Sequence, residues 1–569
     1  MTDKFKWPDE PVLDMQDIQG IAVPGFFKPY QVILGVRYDR APYRIKALLG
    51  FLRELAPNVS SAEATLRDRR EHRLSAAKST TGRDPLIAIG FSFQGLFGLT
   101  PGADAIPSLA YKNGLARRSA MLGDPTDPKN PGHPDHWLVG GPHNELDILI
   151  VIAGDTRKAV VALAGELKKS LTAAKAKVIA QPGGVRDDVP GGKGHEHFGF
   201  DDGVSQPGIR GRASNGAKDF ITPRHVDRSE YPAAAMFGYP GQDLVWPGEF
   251  VIGYPQTGPD PLIPGPIFEP TPAWTRNGSF LVYRRLRQDV GLFWRTMRSE
   301  AQRLSALSAF ADLKDVELAA KLVGRWLSGA PVSRTPAKDD AKLGEDKLAN
   351  NHFRFDCDTP KLKVVHGIDN FPQAKADPIG AACPLAAHIR KVNTRDAPSD
   401  TGGRSSTYER RLLRVGVPYG PSAKDRYANS KPGDPDRGLL FLSIQSSIEE
   451  QFEFLQARWM NDQNRPKAPS GNDMIVGQNA PTDDGTRRCT LFGSGLTQAQ
   501  VQADEQFVIP TGGGYFFIPS RSALSTVIAP PAATPGGKKM AGKMKREPSR
   551  SKSLSRPNSL RPTAAAGKI

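Results

Sequence analysis

The chain has 569 residues, which is enough for two ordinary domains or one large double domain. Hydrophobic residues make up 38% and charged residues 24%, which fits a soluble globular protein, and no run of about 18 apolar residues occurs that would span a membrane. The net charge of +16 is concentrated in residues 535–569, so the rest of the chain is only mildly basic, which argues against nucleic acid as its main partner.

The first part of the chain alternates strand-like and helix-like segments. Apolar runs predict buried strands, and apolar residues spaced by three and four predict one buried face of a helix. Gly154, Asp155 and Thr156 are predicted to cap the start of the second of the two helices. The predicted elements are strands over residues 30–36, 86–93 and 146–153 and helices over residues 43–55 and 157–177.

The second part opens with a loop region rich in Gly, Asp and His over residues 181–221. A long polar segment, ending near residue 377, separates its predicted elements. Ser447 and Glu450 have the spacing of a capping box at the start of one helix. The predicted elements are strands over residues 280–283, 438–445 and 514–519 and helices over residues 286–304, 319–327, 384–392 and 447–459.

Strands and helices occur in two successive blocks, which predicts an α+β protein with helices packed on sheets. We place an irregular lead-in at residues 1–19, a first domain at residues 20–210 and a second domain at residues 211–530. The pattern of the sequence does not fix the order of the strands.

The last segment, residues 531–569, is predicted to be a disordered basic tail. Residues 535–569 hold ten Lys or Arg against one Glu and therefore carry +9 of the net charge. With few apolar residues, the tail cannot bury enough surface to fold. Three roles stay open for it, namely solvated disorder, weak electrostatic contact with acidic surfaces or nucleic acid, and targeting.

The cysteines and the amino-terminal residues indicate the cellular compartment in which the protein works. Cys357, Cys383 and Cys489 are odd in number and far apart, which argues against a disulfide framework. Residues 1–20 contain neither the apolar segment of a signal peptide nor a twin arginine. The sequence therefore predicts a reduced, cytoplasmic protein.

Three segments carry residues suited to chemistry. They are GFDDG at residues 199–203, CPLAAHIRKVN at residues 383–393 and RRLLRVGVPYG at residues 410–420. Taken singly, each has an ordinary interpretation: Asp-Gly is a common turn, a lone helical histidine is usually solvated, and arginines usually lie at the surface. The information is in their combination.

Together these segments resemble the dye-decolourising peroxidases, because GxxDG, HIRK and RxGxPYG follow one another in the order found in that family. The length is similar to that of the long subgroup that includes the fungal enzymes. The resemblance implies two ferredoxin-like α+β domains and one haem b per chain, held mainly by the second domain. Supporting matches lie at residues 17–20, 114–124, 246–250 and 513–517.

The resemblance also assigns the iron site. His388 matches the proximal iron ligand, and Asp473 is our candidate for the carboxylate that accepts a hydrogen bond from its other ring nitrogen. Asp202 matches the distal acid–base group that moves a proton between the two oxygen atoms of the peroxide. Arg414 matches the distal arginine that stabilises the charge on the departing oxygen. Because a carboxylate ionises at lower pH than an imidazole, we expect activity to favour acid conditions.

Further residues are candidates for binding haem, lining its pocket or transferring electrons. Arg395 is a candidate partner of a haem propionate, although a threonine replaces the proline of the family's Asn-Pro-Arg sequence before it. Phe441 and Leu442 are candidate wall residues of the haem pocket, with ordinary core residues as the alternative. Tyr419 is a candidate for carrying oxidising equivalents to the surface, or an ordinary part-buried tyrosine. Residues 360–376 look like an insertion ahead of the ligand helix, and its effect on haem access is left open.

The sequence thus predicts an oxidoreductase that uses hydrogen peroxide to oxidise dyes, phenols and other aromatic reductants. One alternative is a haem-binding or haem-delivery protein, which needs His388 but neither Asp202 nor Arg414. A second alternative is a metal site at His195 and His197, as in cupin-like oxygenases, although no second half of such a site is visible. A homo-oligomer is also left open.

Overall fold

A computed structural model describes residues 6–74, 84–100, 102–180, 182–185, 194–429, 435–479 and 482–532. Contacts between Cα atoms group Met1–Pro530 into one compact unit and Pro531–Ile569 into another. The end of the first unit coincides with the predicted start of the basic tail. Nearly all of that tail, residues 533–569, lies outside the described residues.

The strands belong to one large sheet and three small two-stranded sheets. They are β1 (Tyr30–Arg37), β2 (Leu86–Phe91), β3 (Ile148–Gly154), β4 (Lys177–Ala180), β5 (Gly183–Val185), β6 (Gly208–Ile209), β7 (Leu244–Val245), β8 (Pro255–Thr257), β9 (Pro264–Ile267), β10 (Ser279–Gln288), β11 (Leu413–Arg414), β12 (Val417–Tyr419), β13 (Gly438–Gln445), β14 (Arg487–Phe492), β15 (Gln498–Ala503) and β16 (Val508–Ile518).

The helices pack around these sheets, and short 3₁₀ turns connect several of them. The longer helices are Pro42–Leu55, Ala62–Leu74, Arg157–Ala173, Val290–Ser305, Asp315–Val323 and Ile448–Met460, the last of which has π-type hydrogen bonding. The shorter ones are Phe93–Phe97, Leu109–Asn113, Leu115–Arg118, Ala233–Met236, Ala341–Glu345, His388–Lys391, Arg404–Tyr408, Arg521–Ala523 and Leu524–Ile528. None of the helices in the described part of the chain is long and apolar enough to cross a membrane.

The large sheet has the order β11-β13-β10-β16-β2-β3-β1-β4, with β12 beside β13 and β5 beside β1, and all of its pairings are antiparallel. The sheet consists of two halves, β2-β3-β1-β4 and β11-β13-β10-β16. Numbered by their sequence within each half, the four strands lie in the order second, third, first, fourth. In each half, a long helix follows the first strand and another follows the third strand. This is the β-α-β-β-α-β arrangement of a ferredoxin-like fold. The halves join where β16 pairs with β2 through Phe517 and Phe91. The predicted α+β class is therefore confirmed.

Side-chain alternation along the central strands builds a core on each face of the sheet. On β1, Leu34 packs into one core and Ile33 into the other, both with no solvent exposure. A third core lies beside the helix Val290–Ser305 and includes residues of β14 and β15. This third core forms one side of the cavity described below.

Several predicted elements are confirmed nearly to the residue, among them the strands at residues 30–36 and 438–445 and the helix at residues 43–55. The strand predicted at residues 86–93 ends at Phe91, because the Ser92 side chain accepts a hydrogen bond from Gly95 N and caps the next helix. The helix predicted to reach residue 177 ends at Ala173 and is followed by β4.

Two helix predictions in the second half are wrong at their ends. The helix predicted from residue 286 begins at Val290, because β10 continues to Gln288 between two partner strands and Asp289 then caps the helix. The helix predicted over residues 319–327 spans Asp315–Val323 and ends at Gly324, whose φ of +93° favours glycine.

The helix predicted over residues 384–392 is reduced to one turn, His388–Lys391. Ala387 has an extended ψ of 132°, so the turn after Pro384 does not continue into it. The helix at residues 447–459 is confirmed, and Ser447 caps it by accepting from Glu450 N. The Ser447 N–H, however, donates to the Gln451 side chain rather than to Glu450.

Candidate active site

One large cavity brings together residues from distant parts of the chain. It encloses about 1760 Å³ of space free of atoms, its open mouth included. His388, Asp202 and Arg414 all line it. Much of its remaining wall is apolar and includes Phe441, Phe452, Leu455, Ile475 and Val508. The fold therefore unites the three sequence segments that were singled out for chemistry.

His388 is held in place by a buried carboxylate. Its Nδ1 lies 2.7 Å from Asp473 Oδ2, and the Asp473 side chain has no solvent exposure. The other carboxylate oxygen accepts hydrogen bonds from Ile475 N and Val476 N. Burial acts to raise the pKa of Asp473, but His388 and these backbone N–H groups outweigh it, so the pKa is lowered. Because Nδ1 donates to Asp473, Nε2 is the ring nitrogen left for a ligand in the cavity.

Asp202 and Arg414 form a pair at the cavity wall. Arg414 Nη1 lies 3.3 Å from Asp202 Oδ1, and the two side chains are 30% and 33% exposed. Arg414 Nη2 donates to Ser205 O, and the Gln206 amide bonds to both the N–H and the C=O of Arg414. The pair is thus accessible from the cavity while its backbone is fixed.

The GxxDG motif needs its glycines for conformational reasons. Gly199 and Gly203 have φ of +99° and +81°, values that a side chain would strain. Between them the chain turns so that Asp202 N donates to Gly194 O at 2.9 Å. The turn presents the Asp202 carboxylate to the cavity.

Two buried guanidinium groups also line the cavity, and both donate to the same oxygen, Asn351 Oδ1. The distances are 3.0 Å from Arg325 and 2.5 Å from Arg395. Burial lowers the pKa of Arg325 to about 9 and that of Arg395 to about 10. Over the described ranges, no carboxylate forms an ion pair with either arginine. Two buried cations side by side favour an anionic group in the adjoining cavity.

The prediction for the pocket wall on β13 is partly wrong. Phe441 lines the cavity, as does Leu439. Leu440 and Leu442 point to the opposite face of the sheet and are fully buried in the core there. The reason is the two-residue period of a strand, which places neighbouring side chains on opposite faces.

Neither Tyr419 nor the segment 360–376 lines the cavity. Tyr419 is 6% exposed, and its hydroxyl donates to Asp436 Oδ1 at 3.2 Å. No residue of the segment 360–376 lines the cavity. This segment packs in a separate core, where the buried Arg334 donates to the carbonyls of Ile368, Phe371 and Pro372. The segment therefore forms no part of the cavity wall.

His195 and His197, the two histidines at HxH spacing, do not belong to a group of metal ligands in the described part of the chain. His197 is buried, and its Nε2 lies 2.7 Å from Tyr419 O. Within the described part of the chain, no three His, Cys, Asp or Glu side chains are grouped as metal ligands. The three cysteines are free thiols, of which Cys383 and Cys489 are buried.

Sequence reasoning missed Arg325, Glu196 and Gln288 among the cavity residues. Arg325 directly follows the glycine that ends a helix, and no local pattern distinguishes it. Glu196 stands between the two histidines that drew attention to a metal. Gln288 was assigned to the interior of a helix, whereas it is the last residue of β10.

The fold and the cavity define an α+β protein with a large cavity whose wall contains one imidazole oriented by a buried carboxylate and two buried guanidinium groups. Residues 18–187 match the family described as "DyP dimeric alpha+beta barrel domain". The "Dye-decolorizing peroxidase msp1" of Mycetinis scorodonius is 30% identical over 457 residues, 78% of this chain and 76% of that protein. The "Dye-decolorizing peroxidase AauDyP1" of Auricularia auricula-judae is 29% identical over 527 residues, 90% of this chain and 86% of that protein.

Solved structures give the same result over most of the chain. An ancestral D-type dye decolorizing peroxidase is 31% identical with a TM-score of 0.70, covering 91% of this chain and 100% of that structure. A dye-decolorizing peroxidase in complex with 2,6-dimethoxyphenol is 25% identical with a TM-score of 0.65 and the same coverage. The chain belongs to the dye-decolorizing peroxidase family. It is a peroxidase, and the peroxidases of this family are haem enzymes.

The residues of the cavity fit a haem in three respects. One imidazole is oriented by a buried carboxylate, as a proximal iron ligand requires. Two buried guanidinium groups in the cavity wall, neither in a direct ion pair within the described chain, suit the two propionates. Apolar side chains supply walls for the porphyrin faces and edges.

Proposed function

We propose that the protein uses haem b, one per chain, to oxidise dyes and phenolic or other aromatic reductants with hydrogen peroxide. The observation that carries this proposal is that the His388–Asp473 pair and the Asp202–Arg414 pair line the same cavity. Overall, hydrogen peroxide takes two electrons and two protons and becomes two molecules of water. The bound haem supplies the redox chemistry that passes these electrons one at a time.

On the proximal side, His388 Nε2 would bind the iron. Asp473 accepts the Nδ1 proton, which fixes the orientation of the ring and makes the imidazole a stronger electron donor. The lowered pKa of Asp473 keeps this carboxylate ionised.

On the distal side, Asp202 would accept a proton from one peroxide oxygen and return it to the other, which leaves as water. Arg414 forms an ion pair with Asp202 and is placed to stabilise negative charge on the departing oxygen. The combination favours an enzyme over the alternative of a haem-delivery protein, which has no need of Asp202 or Arg414.

Arg395 and Arg325 would bind the haem propionates. Replacing Arg325 by methionine is expected to weaken haem binding roughly ten- to hundred-fold, because a charge-assisted hydrogen bond contributes about 1.5–3 kcal/mol. The same change should also destabilise the apoprotein, because Arg325 donates to the buried carbonyls of Gly329 and Asn350. Titration of apoprotein with haem and urea unfolding measure the two effects.

Arg334→Met is the matched control for that prediction. Arg334 is also a buried guanidinium, but it bonds to backbone carbonyls outside the cavity. Its removal should destabilise the apoprotein and leave haem affinity unchanged. Equal loss of haem affinity in both variants would contradict the assignment of Arg325.

The proposed substrates rest on the relatives. Several are dye-decolorizing peroxidases by name, and one structural relative holds 2,6-dimethoxyphenol. Dyes too large for the cavity would give up electrons at the surface, and Tyr419 remains our candidate relay. Oxidation of a tyrosine releases its hydroxyl proton, and Asp436 is placed to accept it.

Tyr419→Phe should lower turnover of bulky dyes by about ten-fold or more while small phenols keep their rate, because only the former depend on the surface route. Steady-state kinetics with one donor of each kind measures the difference. Unchanged dye turnover would remove Tyr419 from the proposal.

The overall proposal is tested by the absorption spectrum of the purified protein. We expect a Soret band that changes on addition of hydrogen peroxide and returns on addition of an anthraquinone dye. A protein that binds haem but reacts no faster than free haem would support the haem-delivery alternative. The cytoplasmic location stays a prediction, and a homo-oligomer stays open.

A further inference from the structure

Glu196 is a carboxylic acid in the wall of the cavity that the proposed mechanism does not use. It is partly buried and lines the same cavity as Asp202. Its two oxygens accept hydrogen bonds from Phe198 N at 2.8 Å and Phe200 N at 2.9 Å. Its own N–H donates to Phe200 O. Glu196 therefore belongs to the loop that leads to Asp202.

The side-chain partner of Glu196 is an amide rather than a cation. Gln288 Nε2, at the end of β10, donates to Glu196 Oε2. In the described part of the chain, no Lys, Arg or His nitrogen forms an ion pair with Glu196. A guanidinium partner would hold the carboxylate permanently ionised, whereas a neutral amide does not.

The Gln288 amide can serve both protonation states of Glu196. Its Nε2–H groups donate to the carboxylate, as the structure shows. Its Oε1 is buried and accepts no hydrogen bond. A rotation of the Gln288 amide by half a turn about its Cγ–Cδ bond exchanges the positions of Oε1 and Nε2. In the new position, Oε1 accepts a hydrogen bond from the O–H of a protonated Glu196.

Charged groups on the surrounding elements have partners other than Glu196. On the same loop, Asp202 pairs with Arg414. On β10, Arg284 forms a buried ion pair with Asp124 at 2.8 Å. Asp289, which follows Gln288, accepts from a backbone N–H at the start of the next helix. These pairings leave Glu196 without a fixed counter-charge.

The environment of Glu196 raises its pKa from the usual range of a carboxyl group to near neutrality. Burial raises its pKa to about 7, and the negative charge of Asp202 acts in the same direction, although the three N–H donors oppose both. Glu196 is thus protonated below about pH 7 and ionised above it. Proton exchange in this range needs little free energy.

On the basis of the proposed function, we propose that Glu196 is a second proton-exchanging group of the cavity, which supplies protons for water formation when the electron donor brings none. Two phenols deliver two electrons and two protons to each hydrogen peroxide. A donor that loses only an electron leaves both protons to be supplied by water through the protein. Glu196 would release one proton at each of the two electron transfers and regain it from water at the mouth of the cavity.

The test compares two donors on the haem-loaded Glu196→Gln variant. Hexacyanoferrate(II) gives an electron alone, whereas 2,6-dimethoxyphenol gives an electron and a proton. We expect turnover with hexacyanoferrate(II) to fall about ten-fold or more and turnover with the phenol to fall less than about two-fold, since a positioned acid contributes factors of this size or larger.

Glu249→Gln is the matched control. Glu249 is 3% exposed, accepts a hydrogen bond from Thr257 N, and has a pKa raised by burial to about 7, but it does not line the cavity. Both donors should keep their wild-type rates in this variant. If turnover with hexacyanoferrate(II) falls in both glutamate variants, the loss follows from changing any buried carboxyl group. That result would overturn the proposal.

A second readout needs no turnover. Infrared difference spectra of the ferric protein between about pH 5 and about pH 9 should contain a carboxylic acid C=O band that disappears in Glu196→Gln and persists in Glu249→Gln. If the band of Glu196 is absent from the wild-type spectrum, or if Glu196→Gln keeps its rate with hexacyanoferrate(II), the inference fails. The proposed function fails separately, through normal turnover of the His388 and Asp202 variants.

Discussion

Replacing His388 by alanine is expected to abolish the Soret band of the wild-type protein and to reduce peroxidase turnover to that of free haem. The variant removes the only cavity imidazole in the described chain whose Nδ1 is bonded to a carboxylate. It also leaves the Asp473 carboxylate buried without this partner, which costs about 1–3 kcal/mol of stability. Haem titration followed by absorbance and urea unfolding of the apoprotein measure both effects.

His352→Ala controls for the loss of a buried histidine as such. His352 is 3% exposed and its Nε2 lies 2.8 Å from Pro360 O, away from the cavity wall. This variant should bind haem with the wild-type spectrum. If His388→Ala keeps the spectrum and the turnover of the wild type, a different residue binds the iron and the site assignment is wrong.

Asp202→Asn is expected to keep the haem and to slow the reaction with hydrogen peroxide by about 10²–10⁴-fold, the usual contribution of a positioned acid–base group. Asparagine has nearly the shape of aspartate, and it cannot carry the proton from one oxygen to the other. The Asp202 N–H bond to Gly194 O, which fixes the turn, does not depend on the side chain. Stopped-flow absorbance at the Soret band, with peroxide in excess, measures the rate.

Asp201→Asn is the matched control, because Asp201 precedes Asp202 in the same motif and also lines the cavity. The family resemblance assigns the acid–base role to the second aspartate alone, so the control should react within about three-fold of the wild-type rate. A slow Asp201 variant together with a normal Asp202 variant would transfer the role to the first aspartate. Equal rates for both variants and the wild type would contradict the proposed distal site.

The sequence predicted the elements whose patterns are local. The continuous apolar run of β3 and the three-and-four spacing in the helix Pro42–Leu55 need no information from elsewhere in the chain. The glycines of GFDDG have the positive φ that such a turn requires. Local patterns were less informative near Leu286, where apolar spacing suggested a helix, whereas pairing with two strands extends β10 to Gln288.

The residues that face the cavity depend on pairings between distant segments. The register of β13 turns Phe441 to the cavity and Leu442 to the core, which a run of apolar letters cannot reveal. Arg325 became notable only because folding brings it beside Arg395 at one amide oxygen.

By itself, the sequence determined the α+β class and, through three motifs in order, the family and the chemical types of its site residues. Only the tertiary structure decided that His388 lies 2.7 Å from Asp473 and that Asp202 shares a cavity wall with Glu196. The physical reason is that backbone conformation follows from neighbouring residues, whereas burial, charge pairing and proton affinity follow from groups that meet only when the chain has folded.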